Sequence, residues 1–214
     1  MAQYPPFPDY GGRVSGSPPR PNDGVLELGL RRTGRRTVVQ DCYAHMPLRV
    51  LRPLYLDDTG TAYIYLLNPC GGVLGGDTYS ITVALEAGAQ AYLTTPAATK
   101  LYATQGAAAQ QSINFSLEAG AVLAYMPEQT IPFAHAAFRQ QITVRLAAAA
   151  HVFLGDIIAP GRFAREEIFA YREYSSSVRV ETTQGDVLLL ERTRLQPQQQ
   201  TLGALGLLEG YYYL

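Results

Sequence analysis

The chain has 214 residues, 47% of them hydrophobic and 16% charged, with a formal net charge of −1. That is enough apolar material for a real core, and too little excess positive charge for a nucleic-acid or anionic-membrane binder. No apolar run approaches the roughly 20 residues of a membrane-spanning helix, and the two cysteines, Cys42 and Cys70, make neither a disulfide framework nor a complete cysteine zinc site.

Residues 1–23 read as a flexible tail. Six of the 14 prolines fall in the first 22 residues, among Gly and Ser, and no apolar h-region follows Met1 to make a secretory signal. The folded unit, 24–214, is expected to be one β domain. Alternating apolar positions predict strands over Val25–Arg31, Thr37–Cys42, Leu48–Leu54 and Ala62–Leu67, with a hairpin tip at Thr33-Gly34. The four arginines around that tip are read as a solvated hairpin end.

Three later stretches superpose. They are Ile81–Thr95 (ITVALEAGAQAYLTT), Ile113–Pro127 (INFSLEAGAVLAYMP) and Ile142–Asp156 (ITVRLAAAAHVFLGD), at offsets of 32 and 29 residues. Each reads strand, tight reversal, strand, and the third lacks the turn glycine. A repeat near 30 residues means that each unit covers its neighbour's apolar face. Further strands are expected at Tyr171–Glu181 and Asp186–Glu191. Helical signal is thin: one turn or two in Pro96–Gln105, and an ambiguous Leu202–Leu208. Gln196–Gln200 reads as an exposed loop before an apolar, aromatic end. The expected class is mainly β, with stacked strand pairs in a β-sandwich or β-helix-like arrangement and few short helices.

Chemical motifs are sparse. Asn68–Asp77 (NPCGGVLGGD) is glycine-rich, but it is neither a P-loop nor a dinucleotide fingerprint. His45, His135 and His151 are far apart in sequence, with no H-x-H, H-E-x-x-H or C-x-x-C spacing. No G-x-S-x-G elbow is present. Asp57-Asp58 and Glu166-Glu167 are adjacent pairs, which a strand would point to opposite faces. Thr94–Tyr102 (TTPAATKLY) holds Lys100, the one lysine of a chain with 16 arginines.

Taken in chain order, these segments resemble the urease accessory protein family UreD, also called UreH. Leu48–Tyr55 is similar to the family's "LRvqrPfy" strand, and Asn68–Asp77 to its Pro-x-Gly-Gly-x-x-x-Gly-Asp loop. Thr94–Tyr102 matches Thr-Thr-x-Ala-Ala-Thr-Lys-x-Tyr, the most specific piece. Met126–Phe133 resembles "LPxxxIxF", Gly161–Phe169 resembles "GRxxxGExF", and Leu188–Arg192 fits Leu-x-x-Glu-Arg. Glu166 stands where the family usually has glycine, Ala124-Tyr125 replaces a common Glu-Trp pair, and Glu128-Gln129 inverts a frequent order. The family usually runs several tens of residues further, so the resemblance implies that the last strands are missing.

The resemblance implies a cytoplasmic, non-catalytic scaffold or chaperone. It would assist nickel insertion into apo-urease in a complex with UreF and, through UreF, the GTPase UreG, with no nucleic acid, membrane or tightly bound cofactor. Nickel would be in transit only. Asp77 and Glu167 are the candidate oxygen donors to the passing ion. Lys100, Thr94, Thr95, Glu128 and Arg162 are candidates for the passage wall or a partner interface. The alternative for these loop residues is that they only cap turns and pair with one another. The alternative for the whole chain is a β-sandwich ligand- or protein-binding module with no role in urease maturation.

Overall fold

The computed structural model describes residues 23–199, 201–202, 208–209 and 211. Residues 1–22 of the predicted tail, most of the predicted aromatic end, and residues 203–207 of the ambiguous segment lie outside the described residues, while Asp23, read as the tail's last residue, begins the first strand. Fourteen strands follow in order: β1 (Asp23–Thr33), β2 (Arg36–His45), β3 (Arg49–Val50), β4 (Ala62–Leu67), β5 (Thr78–Leu85), β6 (Gln90–Thr94), β7 (Thr99–Leu101), β8 (Ala109–Leu117), β9 (Val122–Tyr125), β10 (Thr130–Pro132), β11 (Ala137–Leu146), β12 (His151–Leu154), β13 (Glu173–Thr182) and β14 (Val187–Leu195). The chain is mainly β, and the one helical turn among the described residues is the 3-10 segment Phe163–Arg165.

The strands form three walls of a stacked coil. A seven-stranded sheet runs β14-β13-β11-β8-β5-β1-β2, a five-stranded sheet runs β12-β9-β6-β4-β3, and β7 pairs with β10. Neighbours are parallel except at the edges, where β2, β3 and β14 turn back antiparallel. The repeat offsets are the register itself: Ile81 faces Ile113, which faces Ile142. On the opposite wall Gln90 faces Val122, which faces His151.

The two strands of a repeat unit do not pair with each other. Each unit is an arch, with its first strand in the large sheet and its second in the smaller one. The turns between them are alike. Ala89, Ala121 and Ala150 donate N–H bonds back to Glu86, Glu118 and Ala147 at 3.0, 3.0 and 3.2 Å. Gly88 and Gly120 take φ of 67° and 68°, and Ala149, at the equivalent place, takes 57°. The third unit therefore keeps the turn without the glycine, because the flanking sheet registers dictate its path.

The arches pack apolar faces together. Leu26, Leu28 and Leu30, Ile81, Val83 and Leu85, and Ile113, Phe115 and Leu117 are buried against Ile64, Leu93 and Leu123. Burial of this kind contributes roughly 25 cal/mol per Å² of apolar surface. Two local expectations are corrected. Pro96–Gln105 holds no helix, because Thr99–Leu101 pairs in parallel with Thr130–Pro132 as β7. Leu48–Leu54 is a strand only at Arg49–Val50, followed by a single bridge from Leu54 to Tyr63 around Pro53, which lacks an N–H to donate.

Candidate functional site

Four of the six motif segments, Asn68–Asp77, Thr94–Tyr102, Met126–Phe133 and Gly161–Phe169, lie after β4, β6, β9 and β12, so they leave successive coils at equivalent places, while Leu48–Tyr55 surrounds β3 and Leu188–Arg192 lies within β14. They stack on one another: Val73 bridges Leu101, Lys100 faces Ile131, and Thr130 bridges Ile158. Sequence spacing of tens of residues thus becomes one inter-strand step of about 4.8 Å per coil.

Within this wall, Asp77 closes its own loop. Its Oδ2 accepts the Leu74 N–H at 2.8 Å and the Tyr79 hydroxyl at 2.9 Å, and Asn68 Nδ2 donates to the same hydroxyl at 3.2 Å. Burial, then the bond to Asp77, push the Tyr79 phenol well above its ordinary range. Arg162 and Glu167 form a two-pronged pair. Nε donates to Oε2 at 2.8 Å and Nη2 contacts Oε1. Oε2 also accepts the Ala134 N–H at 3.1 Å, and the guanidinium lies 4.1 Å over the Phe133 ring. The bond from Arg162 holds the Glu167 carboxyl below the usual carboxylate range. Gly161, at φ 134°, has no room for a side chain, since a Cβ would lie 2.0 Å from the Glu167 carbonyl. Glu166 adopts φ 61°, the left-handed conformation that glycine takes without strain.

Thr95 and Glu128 meet across coils: the Glu128 N–H donates to Thr95 Oγ1 at 3.0 Å, and Thr95 Oγ1 donates to the Ala97 carbonyl at 3.1 Å. Thr94 Oγ1 donates to the Thr95 carbonyl at 3.4 Å. The Glu128 side chain is exposed, as is Lys100. The wall therefore joins Arg162 to Glu167 and Thr95 to Glu128, while Asp77 is tied to Leu74 and Tyr79. Among the described residues no cluster of three or more His, Cys, Asp or Glu is poised to hold a metal ion.

Behind this wall lies a cavity of about 190 Å³, which the sequence reading missed. One row of the large sheet lines it. Tyr79 faces Gln111, which faces Gln140, and these three line it, while Ser176, which Gln140 faces in turn, lines the neighbouring cavity. Gln111 Nε2 donates to Gln140 Oε1 at 2.9 Å, and Gln140 Nε2 donates to Asp156 Oδ2 at 3.2 Å. Asp156 Oδ2 also accepts the Tyr174 hydroxyl at 3.0 Å and the Ser176 hydroxyl at 3.4 Å.

Asp156 lines a second cavity of about 360 Å³ as well, shared with Leu189, Glu191 and Thr193. The residue is exposed at the surface, while protein atoms crowd its carboxyl between the two cavities. This partial desolvation pushes the carboxyl up, the Tyr174, Ser176 and Gln140 donors counteract, and Glu191 adds to the rise. A sequence signal did exist. Position 156 of the third repeat corresponds to Pro127 and Thr95 in the other two, and it alone carries a charge. The polar row sits one inward step before Ile81, Ile113 and Ile142, where alternation alone would place apolar residues.

A family model described as UreD urease accessory protein matches residues 22–214. The chain is 37% identical over 194 residues to the urease accessory protein UreD of Actinomyces naeslundii, covering 89% of this chain and 70% of that one. It is 34% identical over 189 residues to UreD of Cenarchaeum symbiosum, covering 87% and 66%, and 31% identical over 188 residues to UreD of Bacillus cereus, covering 88% and 68%. The chain spans about two thirds of the length of these curated relatives. No helix among the described residues is long and apolar enough to cross a membrane. With the motif loops stacked on successive coils and this similarity running through them, the chain belongs to the UreD family of urease accessory proteins.

Proposed function

We propose that the chain acts in the cytoplasm as a scaffold for nickel insertion into apo-urease, in a complex with UreF and, through UreF, the GTPase UreG. The ion passes along these two cavities as cargo. The observation that carries this reading is Asp156, a solvent-accessible carboxylate lining both cavities, whose hydrogen-bond donors are all neutral. A negative charge so placed attracts a divalent cation. Amide and hydroxyl oxygens around it offer Ni²⁺ weak ligands compared with imidazole or thiolate, which favours release over storage. Asp77 and Glu167 serve the passage from its wall. Asp77 closes the glycine loop that lines the cavity, and Glu167, paired with Arg162, fixes the outer loop.

The test is co-expression of variants with the urease subunits, UreF and UreG. Asp156→Asn is expected to assemble normally on a pull-down while lowering the nickel content and activation of urease. Asp77→Ala and Glu167→Ala are expected to lower activation in proportion to their loss of loop order. Normal activation by Asp156→Asn would refute the passage at this residue, and failure of that variant to assemble would make Asp156 a structural group instead.

A further inference from the structure

The first cavity is electrically polarised along the coil axis. Its charged lining consists of Arg49, Lys100 and Asp156. Arg49 lies on β3, at one edge of the five-stranded sheet, and Asp156 follows β12 at the other edge. Four inter-strand steps separate those edges by roughly 19 Å. Arg49 and Lys100 are both exposed, and neither has a carboxylate partner among the described residues. Arg49 uses Nη1 on the Ala44 and Leu48 carbonyls, at 3.0 Å each, which fixes the side chain without neutralising it. The same lining offers apolar Leu48, Leu66, Pro96 and Ala97 alongside polar Asn68, Thr95 and Thr99, and of the four apolar residues Leu48 and Leu66 are buried. Pro96 and Ala97 are themselves exposed.

A mouth with two unpaired cations repels a bare divalent ion and complements a carboxylate next to an apolar group. The cavity, at about 190 Å³, is too small to admit a helix, whose diameter with side chains is about 10–12 Å. It accepts one or two side chains of an extended chain. The net charge of −1 gives no wider basic field for a nucleic acid to follow.

We propose that the Arg49–Lys100 mouth is a docking site for an extended acidic peptide segment of a partner protein, which sets a carboxylate against the two cations and an apolar side chain against Leu48, Pro96 and Ala97. The docking goes beyond the nickel reading and does not depend on it. Where both hold, the docked carboxylate also neutralises the end of the passage opposite Asp156.

The experiment uses the full chain and a fluorescein-labelled peptide, Leu-Asp-Leu-Asp-Leu, followed by fluorescence anisotropy at low and high salt. The same peptide with Asn in place of Asp is the control. Saturable binding that weakens with salt is expected for the acidic peptide, with the Asn peptide roughly tenfold weaker and Arg49→Gln and Lys100→Gln each weakening binding about fivefold. Ala97→Phe, at an exposed position, fills the mouth without changing charge and is expected to block binding. Asp156→Asn, the variant that tests the nickel reading, is expected to leave peptide binding intact. Equal binding of the two peptides, or unchanged binding by both charge variants, overturns the proposal. So does complete displacement by an equimolar amount of inorganic phosphate, which would make the mouth a plain anion site.

Discussion

The three stacked arch turns make an internal experiment on the left-handed conformation. Gly88, Gly120 and Ala149 occupy the same place in successive coils, at φ 67°, 68° and 57°. A Cβ built on Gly88 or Gly120 meets nothing within 4 Å, so substitution there adds no clash. The stacking bonds, Gly88 N–H to the Ala119 carbonyl at 3.0 Å and Gly120 N–H to the Ala148 carbonyl at 3.3 Å, survive in alanine. What remains is the backbone. An L-residue in this region costs about 1–2 kcal/mol, and glycine gives back roughly 0.5–1 kcal/mol through the entropy of its unfolded chain. Ala149→Gly is therefore expected to stabilise the fold by about 0.5–1 kcal/mol, and Gly88→Ala or Gly120→Ala to destabilise it by a similar amount. With a urea slope of about 2–3 kcal/mol per M, each change moves the midpoint by roughly 0.2–0.5 M at constant slope. Equilibrium urea unfolding followed by far-UV circular dichroism reads this directly. Loss of stability in Ala149→Gly, or no change in both glycine variants, refutes the argument that the register holds Ala149 in a strained turn.

Two pH predictions have opposite signs. Glu167 ionises below the ordinary carboxylate range because of Arg162 and the Ala134 N–H. Its contribution is complete above its unfolded pKa and is lost as pH falls through the lower folded value. Acid titration of thermal stability should show that loss in the natural chain and not in Glu167→Gln. Asp156 is shifted upward by partial desolvation, so the folded chain binds its proton more tightly than the unfolded chain does. Stability then falls as pH rises from the unfolded pKa through the folded one. Asp156→Asn is expected to raise the midpoint of thermal unfolding at neutral pH, and a lowered midpoint would contradict that sign.

Much of the fold was legible because its period is written in like residues. Ile81, Ile113 and Ile142 recur at the spacing that the sheet uses as register, so the repeat exposed the stacking of units, while the parallel pairing that carries it came from the structure. The destination of each second strand was not legible, since a tight turn at Gly88 serves a hairpin and an arch equally well. β7 was hidden for a similar reason. Thr99–Leu101 is too short to show alternation, and its pairing with Thr130–Pro132 arises only when the coils stack. At the site, the motif loops were found in order, but their contacts were not. Arg162 and Glu167 are five residues apart, and their pairing follows from the turn between them. Asp156 was overlooked as a repeat's last residue, because its partner Gln140 lies across the arch on β11 and its partners Tyr174 and Ser176 come from the next coil, on β13.

The first cavity carries a consequence for biogenesis. Its lining reaches from Leu26, on the first strand, to Asp156 at the end of the third repeat. β1 pairs in parallel with β5, so Val25 waits for Ser80 and Leu26 for Ile81 before the large sheet can close around them. Contacts at such sequence separation form more slowly than the adjacent β1–β2 hairpin. During synthesis the apolar inward face of β1 is therefore exposed while more than fifty residues follow it. A partner that recognises the closed cavity distinguishes a finished chain from one still being made, and cannot engage until the first strand has been captured.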